Sequence, residues 1–218
     1  MKILSAQQKR EADKFRITNE PISSIDLMER ASQACVNWIQ KNCSVESKFQ
    51  VFCGTGNNGG DGLVIARLLS AENYKVEVSI IRFSENETKD FAVNLNRLEK
   101  LPIKIIDSLV SDKIDAKEGY ILIDALLGSG LNKPLDGKLK HRVQELNALK
   151  KFIISIDVPS GLFIDSINKN EQLSIEADVS LTFQTPPLSF FTIENAGRVG
   201  DWKLLDIGLD AGFIEDSD

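Results

Sequence analysis

Residues 49–62, FQVFCGTGNNGGDG, decide the fold of this chain. They begin with an apolar run at residues 49–53, typical of a buried strand, and a helical pattern follows at residues 63–69. A strand, a glycine loop and a helix start form a cradle for nucleotide phosphates. Glycine lets the backbone approach the ligand, and the N–H groups at the helix start point at its oxygens. Gly60-Asp61 stand where a phosphate-binding loop carries lysine and a hydroxyl residue.

Two familiar nucleotide-binding loops match this stretch only in part. Gly54-x-Gly56-x-x-Gly59 fits the dinucleotide fingerprint, but the acidic residue expected about 20 positions later is poorly placed, because Glu77 lies inside the next apolar run. The same glycines begin a Walker A pattern, in which the carboxylate of Asp61 would repel a pyrophosphate. The alternative is a helix cap in a tight turn. Two adjacent asparagines among several glycines are more than a cap needs.

The composition is that of an ordinary globular protein, without signatures of nucleic-acid binding or membrane insertion. The chain has 218 residues, which fits one domain at 1–218, with 42% hydrophobic and 27% charged residues. A net charge of −6 argues against nucleic acid as a partner. No segment approaches the roughly 20 apolar residues of a membrane span, and the N-terminus turns polar too early for a signal peptide. We therefore expect a cytoplasmic protein.

Cysteine and histidine usage leaves few catalytic roles for either residue type. The three cysteines, Cys35, Cys43 and Cys53, are odd in number and show no CxxC spacing, so neither a disulfide framework nor a zinc site is expected. His141 is the one histidine and falls in a polar helical stretch, which excludes a site built from several histidines. Ser160 consequently has no evident histidine partner for a Ser-His-Asp nucleophile.

Apolar β-rich runs alternate with helical patterns through most of the chain. Ser5-x-x-Gln8 is typical of a capping box and predicts a first helix to about Phe15; a second helix is predicted at residues 24–41. The predicted strands are residues 49–53, 76–81, 103–106, 120–123, 152–156 and 179–183. The helices predicted between them are residues 63–69, 88–100 and 138–149. This alternation indicates an α/β fold with a mostly parallel sheet covered on both faces. The first two helices form either a cap over the sheet or a contact surface.

Three loops with unusual residues each follow a predicted strand: residues 54–62, 124–134 and 157–162. The carboxyl ends of parallel strands meet at one edge of a sheet, and ligands bind in the crevice there. Asp124 and Asp157 each come directly after an apolar run, so both are predicted at strand tips. Carboxylates in that position serve as acids, bases or cation ligands. The alternative for either residue is turn capping, because Asp accepts hydrogen bonds from its own following backbone.

Oxygen-bearing side chains in these loops predict a cation site. Asn58, Asp124 and Ser160 offer an amide oxygen, one carboxylate and a hydroxyl, which select hard cations over zinc or copper. Ca²⁺ or Mg²⁺ would recruit more carboxylate, so this set favours a monovalent ion such as K⁺. The backbone of residues 128–130, Gly-Ser-Gly, can hold a phosphate with Lys133 nearby; the alternative is a flexible loop.

Together the three loops resemble the NAD(P)H-hydrate epimerases, a family also described as the YjeF N-terminal domain. The similarity extends to opening helices at residues 6–12 and 22–34 and to a late segment at 177–183, and the motif NNGGDG at 57–62 is highly specific. The resemblance implies a three-layer αβα Rossmann-like sandwich with N-terminal helices packed on it, usually as a homodimer. It implies an isomerase that interconverts the R and S hydrates of damaged NADH and NADPH. A dehydratase then acts on the S form.

The resemblance also implies roles for individual residues. Substrate contacts fall on Asn57, Asn58, Gly59, Gly60 and Asp61. The substrate's phosphates are held by Gly128, Ser129, Gly130, Leu131, Asn132, Lys133 and Pro134. Asp157 binds the substrate near its nicotinamide ring, where we expect it to act as acid and base at the hydrated carbon. One K⁺ per subunit is ligated by Asn58, Asp124 and Ser160. The chain departs from many relatives at Pro187, where they carry a lysine.

Other interpretations of the sequence stay open. The chain could be a non-catalytic nucleotide-binding or interaction module, although the presence of both Asp124 and Asp157 favours an enzyme. It could be the epimerase half of a bifunctional protein that continues into an ADP- or ATP-dependent dehydratase. A plain dehydrogenase is the weakest alternative, because Asp61 disfavours the usual pyrophosphate contact.

Overall fold

The computed structural model describes residues 2–20, 22–108, 116–165 and 172–217. The helices are α1 (Ala6–Asn19), α2 (Ser24–Asn42), α3 (Asn57–Ala71), α4 (Lys89–Leu98), α5 (Gly137–Ala148), α6 (Ala196–Val199) and α7 (Ala211–Asp216). The strands are β1 (Lys48–Cys53), β2 (Lys75–Ile80), β3 (Lys104–Asp107), β4 (Tyr120–Ala125), β5 (Ile153–Ile156), β6 (Val179–Phe183) and β7 (Asp201–Leu205). Every helix and strand predicted from the sequence is present, whereas β7, α6 and α7 were not predicted.

The described strands form one sheet in the order β3-β2-β1-β4-β5-β6-β7. Every adjacent pair is parallel, which confirms the predicted parallel sheet. Val51 of β1 pairs with Val78 of β2 on one side and with Ile123 of β4 on the other. The chain therefore runs outward from β1 to β3 and then crosses back to β4. The crevice at this reversal, beyond the carboxyl ends of β1 and β4, is where doubly wound sheets bind ligands.

Alternate residues of β1 pack against opposite layers of helices. Phe49, Val51 and Cys53 join a buried cluster with residues of α2, α3 and α4. Phe52 joins a second buried cluster with residues of α5. Successive strand residues point to opposite faces, so this pattern places helices on both sides of the sheet. The architecture is the three-layer αβα sandwich expected from the sequence, with α2 in one of its helical layers.

Helix α1 begins with the predicted capping box and is longer than predicted. The Ser5 hydroxyl accepts from the Gln8 backbone N–H, and the Gln8 side chain accepts from the Ser5 backbone. The helix continues past Phe15 to Asn19, and the Phe15 ring stacks on Phe213 of α7 with centroids 4.6 Å apart. The acidic residues near the end of the chain, for which no element was predicted, form α7 up to Asp216, and Asp218 lies outside the described residues.

The glycine loop predicted at residues 54–62 is mostly helical. Helix α3 begins at Asn57, so only the first three of these residues precede it. Glycine is a poor helix former, but tertiary packing overrides that preference here. A Cβ at Gly59 would lie 1.8 Å from the carbonyl oxygen of Gly54, so the first turn of the helix can approach the end of β1 only without a side chain. The N-cap residue is Gly56, so the tight turn from β1 into α3 has no side-chain capping hydrogen bond.

The edge strand β7 escaped prediction because it carries no continuous apolar run. Its Asp201 and Leu204 are exposed, and its remaining residues are half-buried, as is common for a short strand with a neighbour on one side only. Across the described residues, none of the helices combines the length and apolarity needed to cross a bilayer.

Candidate active site

A cavity of about 490 Å³ opens at the carboxyl edge of the sheet, in the crevice beyond β1 and β4. Its volume falls within the range of roughly 300–1,000 Å³ usual for small-molecule sites. All three loops predicted from the sequence contribute to its wall. The lining residues that matter for its chemistry are Lys9, Arg10, Asp13, Asn57, Asn58, Asp61, Asp90, Gly128, Ser129, Gly130, Leu131, Asp157, Gln184 and Thr185.

The first turns of α3 divide into residues that line the cavity and residues that pack behind it. Asn57, Asn58 and Asp61 line the cavity. Gly59 packs on the end of β1, as described above. Gly60 faces α2, where an added Cβ would lie 2.8 Å from the side chain of Met28. Of the five substrate contacts expected at residues 57–61, the structure therefore brings three side chains to the cavity and uses the two glycines for close packing.

The loop after β4 divides in the same way. Residues 128–131 line the cavity, whereas Asn132, Lys133 and Pro134 are exposed and lie outside the lining. The Lys133 side chain is 71% exposed and pairs with Asp136 at 3.2 Å. The backbone of residues 128–131 is thus placed to meet a ligand. The Lys133 side chain, in this conformation, is not placed to meet a ligand.

Asp157 occupies the wall of the cavity directly after β5 and has a strained backbone. Its φ is 65°, in the left-handed region that non-glycine residues seldom adopt. Its Oδ2 accepts a hydrogen bond from the Ser129 backbone N–H at 2.8 Å, and its own N–H donates to the Leu181 carbonyl at 2.8 Å. A Cβ at Gly128 would lie 2.9 Å from that Oδ2. Strain of this kind persists where the surrounding structure fixes it and is concentrated at functional sites.

Asp124 lies behind the cavity wall and is held by hydrogen bonds. Its Oδ1 lies 2.6 Å from Ser160 Oγ and accepts from the Leu126 N–H at 3.2 Å. Its Oδ2 accepts from Ser160 N–H at 2.9 Å and from Ser155 Oγ at 2.8 Å. The hydrogen bond from the Leu126 N–H is the one expected if Asp124 only caps its own turn. The other hydrogen bonds join β4 to β5 and to the loop at residues 157–162. Burial raises the pKa of Asp124, and the bonds from Ser160 and Ser155 offset part of that rise.

The residues expected to hold K⁺ fit a cation of low charge. Ser160 contacts Asp124 directly, and Asn58 is buried with no hydrogen-bond partner for either Oδ1 or Nδ2 among the described residues. An orphaned buried amide is costly and indicates a missing partner. The described residues contain no group of three or more His, Cys, Asp or Glu side chains placed to hold a metal. The donor set is therefore one carboxylate with neutral oxygens, which suits a monovalent ion.

Several carboxylates crowd the cavity and disturb one another. Burial raises the pKa of Asp61 well above its ordinary value, and the charges of Asp157, Asp13 and Asp90 raise it further. Burial likewise raises the pKa of Asp13 to about 6, with a contribution from the charge of Asp157, while Lys9 lowers it. Carboxyls shifted towards neutral pH are suited to exchange protons with a ligand.

Sequence reasoning missed the contribution of α1 to this site. Lys9 and Asp13 are four residues apart on α1, hence on one face, and both line the cavity. Gln184, after β6, also lines it with a positive φ of 56°. The Lys-Asp spacing was visible in the sequence but is typical of a solvated helix face. Pro187, the departure from the resemblance, is buried just ahead of a short turn at Leu188–Phe191.

A family model and individual proteins that are similar to this chain point to the same family. The family described as "YjeF-related protein N-terminus" matches residues 24–188 of this chain. The NAD(P)H-hydrate epimerase of Anaerococcus prevotii is 32% identical over 191 residues, 84% of this chain and 85% of that protein. The NAD(P)H-hydrate epimerase of Limosilactobacillus fermentum is 32% identical over 199 residues, 90% of this chain and 93% of that protein.

A longer relative and a solved structure also match. The bifunctional NAD(P)H-hydrate repair enzyme Nnr of Coxiella burnetii is 30% identical over 210 residues, which are 95% of this chain and 42% of that protein. The crystal structure of the yeast protein YNL200c superposes with a TM-score of 0.71 and 25% identity, covering 87% of this chain and 83% of that one.

Proposed function

This chain belongs to the YjeF-related N-terminal family, and we propose that it is an NAD(P)H-hydrate epimerase whose active site is the cavity at the carboxyl edge of the sheet. The enzyme is an isomerase. Its substrates are the hydrated forms of NADH and NADPH, and its reaction interconverts their R and S epimers.

The observation that carries this proposal is the position of Asp157. Its carboxylate faces the cavity from the tip of β5, strained in its backbone and tied to the loop at residues 128–131 through Ser129. A substrate whose phosphates lie along that loop would place its ring close to this carboxylate. The oriented carboxylate and the backbone-rich loop are thus the two parts that a nucleotide-ring reaction needs in one crevice.

We assign Asp157 the role of acid and base at the hydrated carbon. The ring nitrogen of the substrate is electron-rich. When the ring hydroxyl is protonated, the carbon–oxygen bond can break. Its electron pair departs with the oxygen as water, and the nitrogen lone pair forms a C=N bond to the carbon. Water then adds to the other face of the ring and loses a proton to a base, which completes the inversion. A correctly placed acid or base typically contributes about 10²–10⁴-fold to the rate.

Asn57, Asn58 and Asp61 are proposed to contact the substrate together with Gly59 and Gly60. The loop at residues 128–134 is proposed to hold its phosphates through the backbone of residues 128–131, which lines the cavity. Three residues, Asn58, Asp124 and Ser160, would hold one K⁺ per subunit. When bound, this ion supplies a fixed positive charge that keeps the buried Asp124 ionised. The orphaned amide of Asn58 and the Asp124–Ser160 contact support that assignment.

A homodimer in the cytoplasm completes the proposal. Phe191 packs edge-on against Trp202 of β7, and this side of the molecule exposes further apolar side chains, of which Ile193 is 91% exposed. An exposed apolar patch beside an edge strand is suited to a second copy of the chain. The cysteines are free thiols, as a reducing compartment maintains them. A dehydratase, fused or separate, is the proposed partner in repair.

A coupled assay with an S-specific NAD(P)H-hydrate dehydratase tests this function. An equal mixture of the two epimers is treated with the dehydratase and its nucleotide in K⁺ buffer, with and without the purified chain. The dehydratase alone should restore the S half quickly and then slow to the spontaneous epimerisation rate. Addition of the chain should let restoration continue quickly to completion. No acceleration by the folded protein would favour a non-catalytic nucleotide-binding module instead.

A further inference from the structure

Helix α1 presents charged side chains to the cavity although it lies outside the part of the chain that the family match covers. That match begins at residue 24, and α1 ends at Asn19. Lys9, Arg10 and Asp13 nevertheless line the cavity. The helix is fixed in place by the packing of Leu4 and Ala12 with Ile214 of α7. The side chains of α1 are therefore held against the cavity by a small core of their own.

Lys9 is a buried cation with unused hydrogen-bond donors. The residue is 9% exposed, and its ammonium lies 3.7 Å from Asp157 Oδ1. Among the described residues, Lys9 Nζ has no hydrogen-bond acceptor. A buried ammonium has three donors to satisfy and is costly without partners. Since this one faces the proposed acid and base, it indicates that a polar group of the substrate or water completes its coordination.

Asp13 lies one turn further along α1 on the same face. Burial raises its pKa to about 6, so the carboxyl carries a proton for a substantial fraction of the time just below neutral pH. It belongs to α1, whereas Asp157 follows β5, and both residues line the cavity. The charged groups around Asp13 are Lys9 and Arg10 on its own helix, Asp157 after β5, Asp61 on α3 and Asp90 on α4.

Inversion of a carbon by loss and return of water needs proton transfer on both faces of the ring. Oxygen leaves from one face and enters at the other, and one carboxylate can reach only one of them. We propose that α1 completes the active site, with Asp13 serving the ring face opposite Asp157 and Lys9 binding the oxygen on the Asp157 face. This inference rests on the proposed epimerase function.

The two carboxyls then exchange roles with the direction of the reaction. In one direction Asp13 gives its proton to the ring hydroxyl, the carbon–oxygen bond breaks and water departs. A water molecule on the other face forms the new bond to carbon and gives one proton to the carboxylate of Asp157. Lys9, whose ammonium lies 3.7 Å from Asp157 Oδ1, donates a hydrogen bond to that water. In the reverse direction Asp157 is the acid and Asp13 the base, and proton exchange with solvent resets the pair between turnovers.

Oxygen exchange separates this assignment from a merely structural role of Asp13. Each purified epimer is incubated in ¹⁸O-water and K⁺ with the wild-type enzyme or with Asp13→Asn, and both label and configuration are followed. We expect Asp13→Asn to lose about 10²–10⁴-fold in epimerisation. It should still place ¹⁸O, faster than the protein-free rate, into the one epimer whose hydroxyl faces Asp157, because that residue can release and return water on its own face. Wild type should label both epimers as it inverts them.

Two control variants use charges on the exposed side of the same helix. Glu11→Gln removes a carboxylate from α1 and should retain wild-type epimerisation, because Glu11 is exposed and hydrogen-bonded to Gln7. Lys9→Met should lower kcat with little change in KM, whereas Lys14→Met should change neither, since Lys14 is exposed. The comparison of Lys9→Met with Lys14→Met tests the contribution of α1 to catalysis even if Asp13→Asn folds poorly.

Wild-type epimerisation by Asp13→Asn would overturn the inference, and so would equal losses of exchange and inversion for both epimers. Unchanged kcat in Lys9→Met would overturn the role of Lys9. These failures are distinct from failure of the epimerase proposal itself, which would show as no acceleration by the wild-type protein.

Discussion

Carboxylates near the two edges of the sheet have pKa values shifted in opposite directions. Towards the amino edge, Glu77 of β2 is 5% exposed and is surrounded by partners: Lys117 and Tyr120 hydrogen-bond to it, and Lys104 lies 3.7 Å away. Burial alone would raise the pKa of Glu77, but the hydrogen bonds and charges of the lysines outweigh it, and the net shift is downward. This carboxylate is fixed in its ionised form.

At the carboxyl edge the carboxylates face one another instead. Asp13, Asp61, Asp90 and Asp157 share one cavity, and the pKa values of Asp13 and Asp61 are raised. Lys9 is paired with Asp157 but lacks hydrogen bonds, and Asp157 has a strained backbone. The difference teaches that burial by itself does not mark an active site. An active site is marked instead by buried groups that lack hydrogen-bond partners or opposite charges, because a ligand can supply them.

The largest expected difference between the edges is in turnover. Asp157→Asn should lower kcat for R-NADH-hydrate by about 10²–10⁴-fold with substrate affinity largely retained, because the amide keeps the shape but cannot exchange the proton. Glu77→Gln makes the same chemical change at the other edge and should keep wild-type kcat per folded molecule. Steady-state kinetics of both variants provide the check. Full activity of Asp157→Asn would move the acid–base role to Asp61.

A second prediction compares two buried serines on neighbouring strands. Ser155 of β5 donates to Asp124 Oδ2, whereas its register partner Ser180 of β6 donates to the Val199 carbonyl at 2.7 Å. Loss of a hydrogen bond that orients a metal ligand typically weakens metal affinity or activity by about 10–100-fold. Ser155→Ala should therefore raise the K⁺ concentration for half-maximal activity by that factor, and Ser180→Ala should leave it unchanged. Equal K⁺ dependence in the two variants would argue against a cation at Asp124.

The third prediction is that carboxylate-to-amide changes alter stability with opposite signs at the two edges. Asp13→Asn should raise the free energy of unfolding at pH 7 by about 1–3 kcal/mol, since it removes a carboxylate whose ionised form is disfavoured by the fold. Glu77→Gln should lower it by about 1–3 kcal/mol, since it weakens the buried hydrogen bonds from Lys117 and Tyr120 and the ion pair with Lys104. Urea unfolding of both variants measures the two changes. Shifts of the same sign would remove the contrast between the edges.

The pH dependence of these stability changes is the smallest and most specific expectation. The pKa of Asp13 rises from 3.8 to about 6 on folding, so its protonated form stabilises the fold. That contribution is fully present below pH 3.8 and is lost as the pH rises through about 6. The gain from Asp13→Asn should thus be small at pH 4 and reach a plateau above pH 7. The pKa of Glu77 is lowered, so the loss from Glu77→Gln should shrink as the pH falls below 4.5. Unfolding curves from about pH 3 to 8 give both trends, and a pH-independent gain in Asp13→Asn would contradict the raised pKa.

The sequence predicted the sheet well because its strands are buried on both faces. Strand β4 begins with a continuous apolar run at residues 120–123, and the residue after such a run lies at the edge where ligands bind. Asp124 and Asp157 could therefore be located from position alone. The helical start of α3 could not be predicted, because Gly59 packs on the backbone of Gly54 and Gly60 packs on Met28 of α2. These are packing contacts, which a residue pattern along the chain does not show.

The position of the charged face of α1 at the cavity could not be predicted from the sequence. A lysine and an aspartate four residues apart stabilise an exposed helix as readily as they line a cavity. What distinguishes Lys9 and Asp13 is the packing of α1 against α7, which depends on contacts such as Phe15 with Phe213 across almost the whole chain. Lys133 illustrates the reverse case, since its nearby position in sequence suggested a phosphate contact and its side chain points to Asp136.

We conclude that the carboxyl edge of this sheet epimerises hydrated nicotinamide nucleotides. The most direct test is to mix the purified protein with separated R-NADH-hydrate in K⁺ buffer and to follow the S epimer by chromatography. We predict that the S epimer forms well above the spontaneous rate and that Asp157→Asn removes most of this acceleration. Formation of the S epimer at the spontaneous rate, with folded protein and K⁺ present, would contradict the claim.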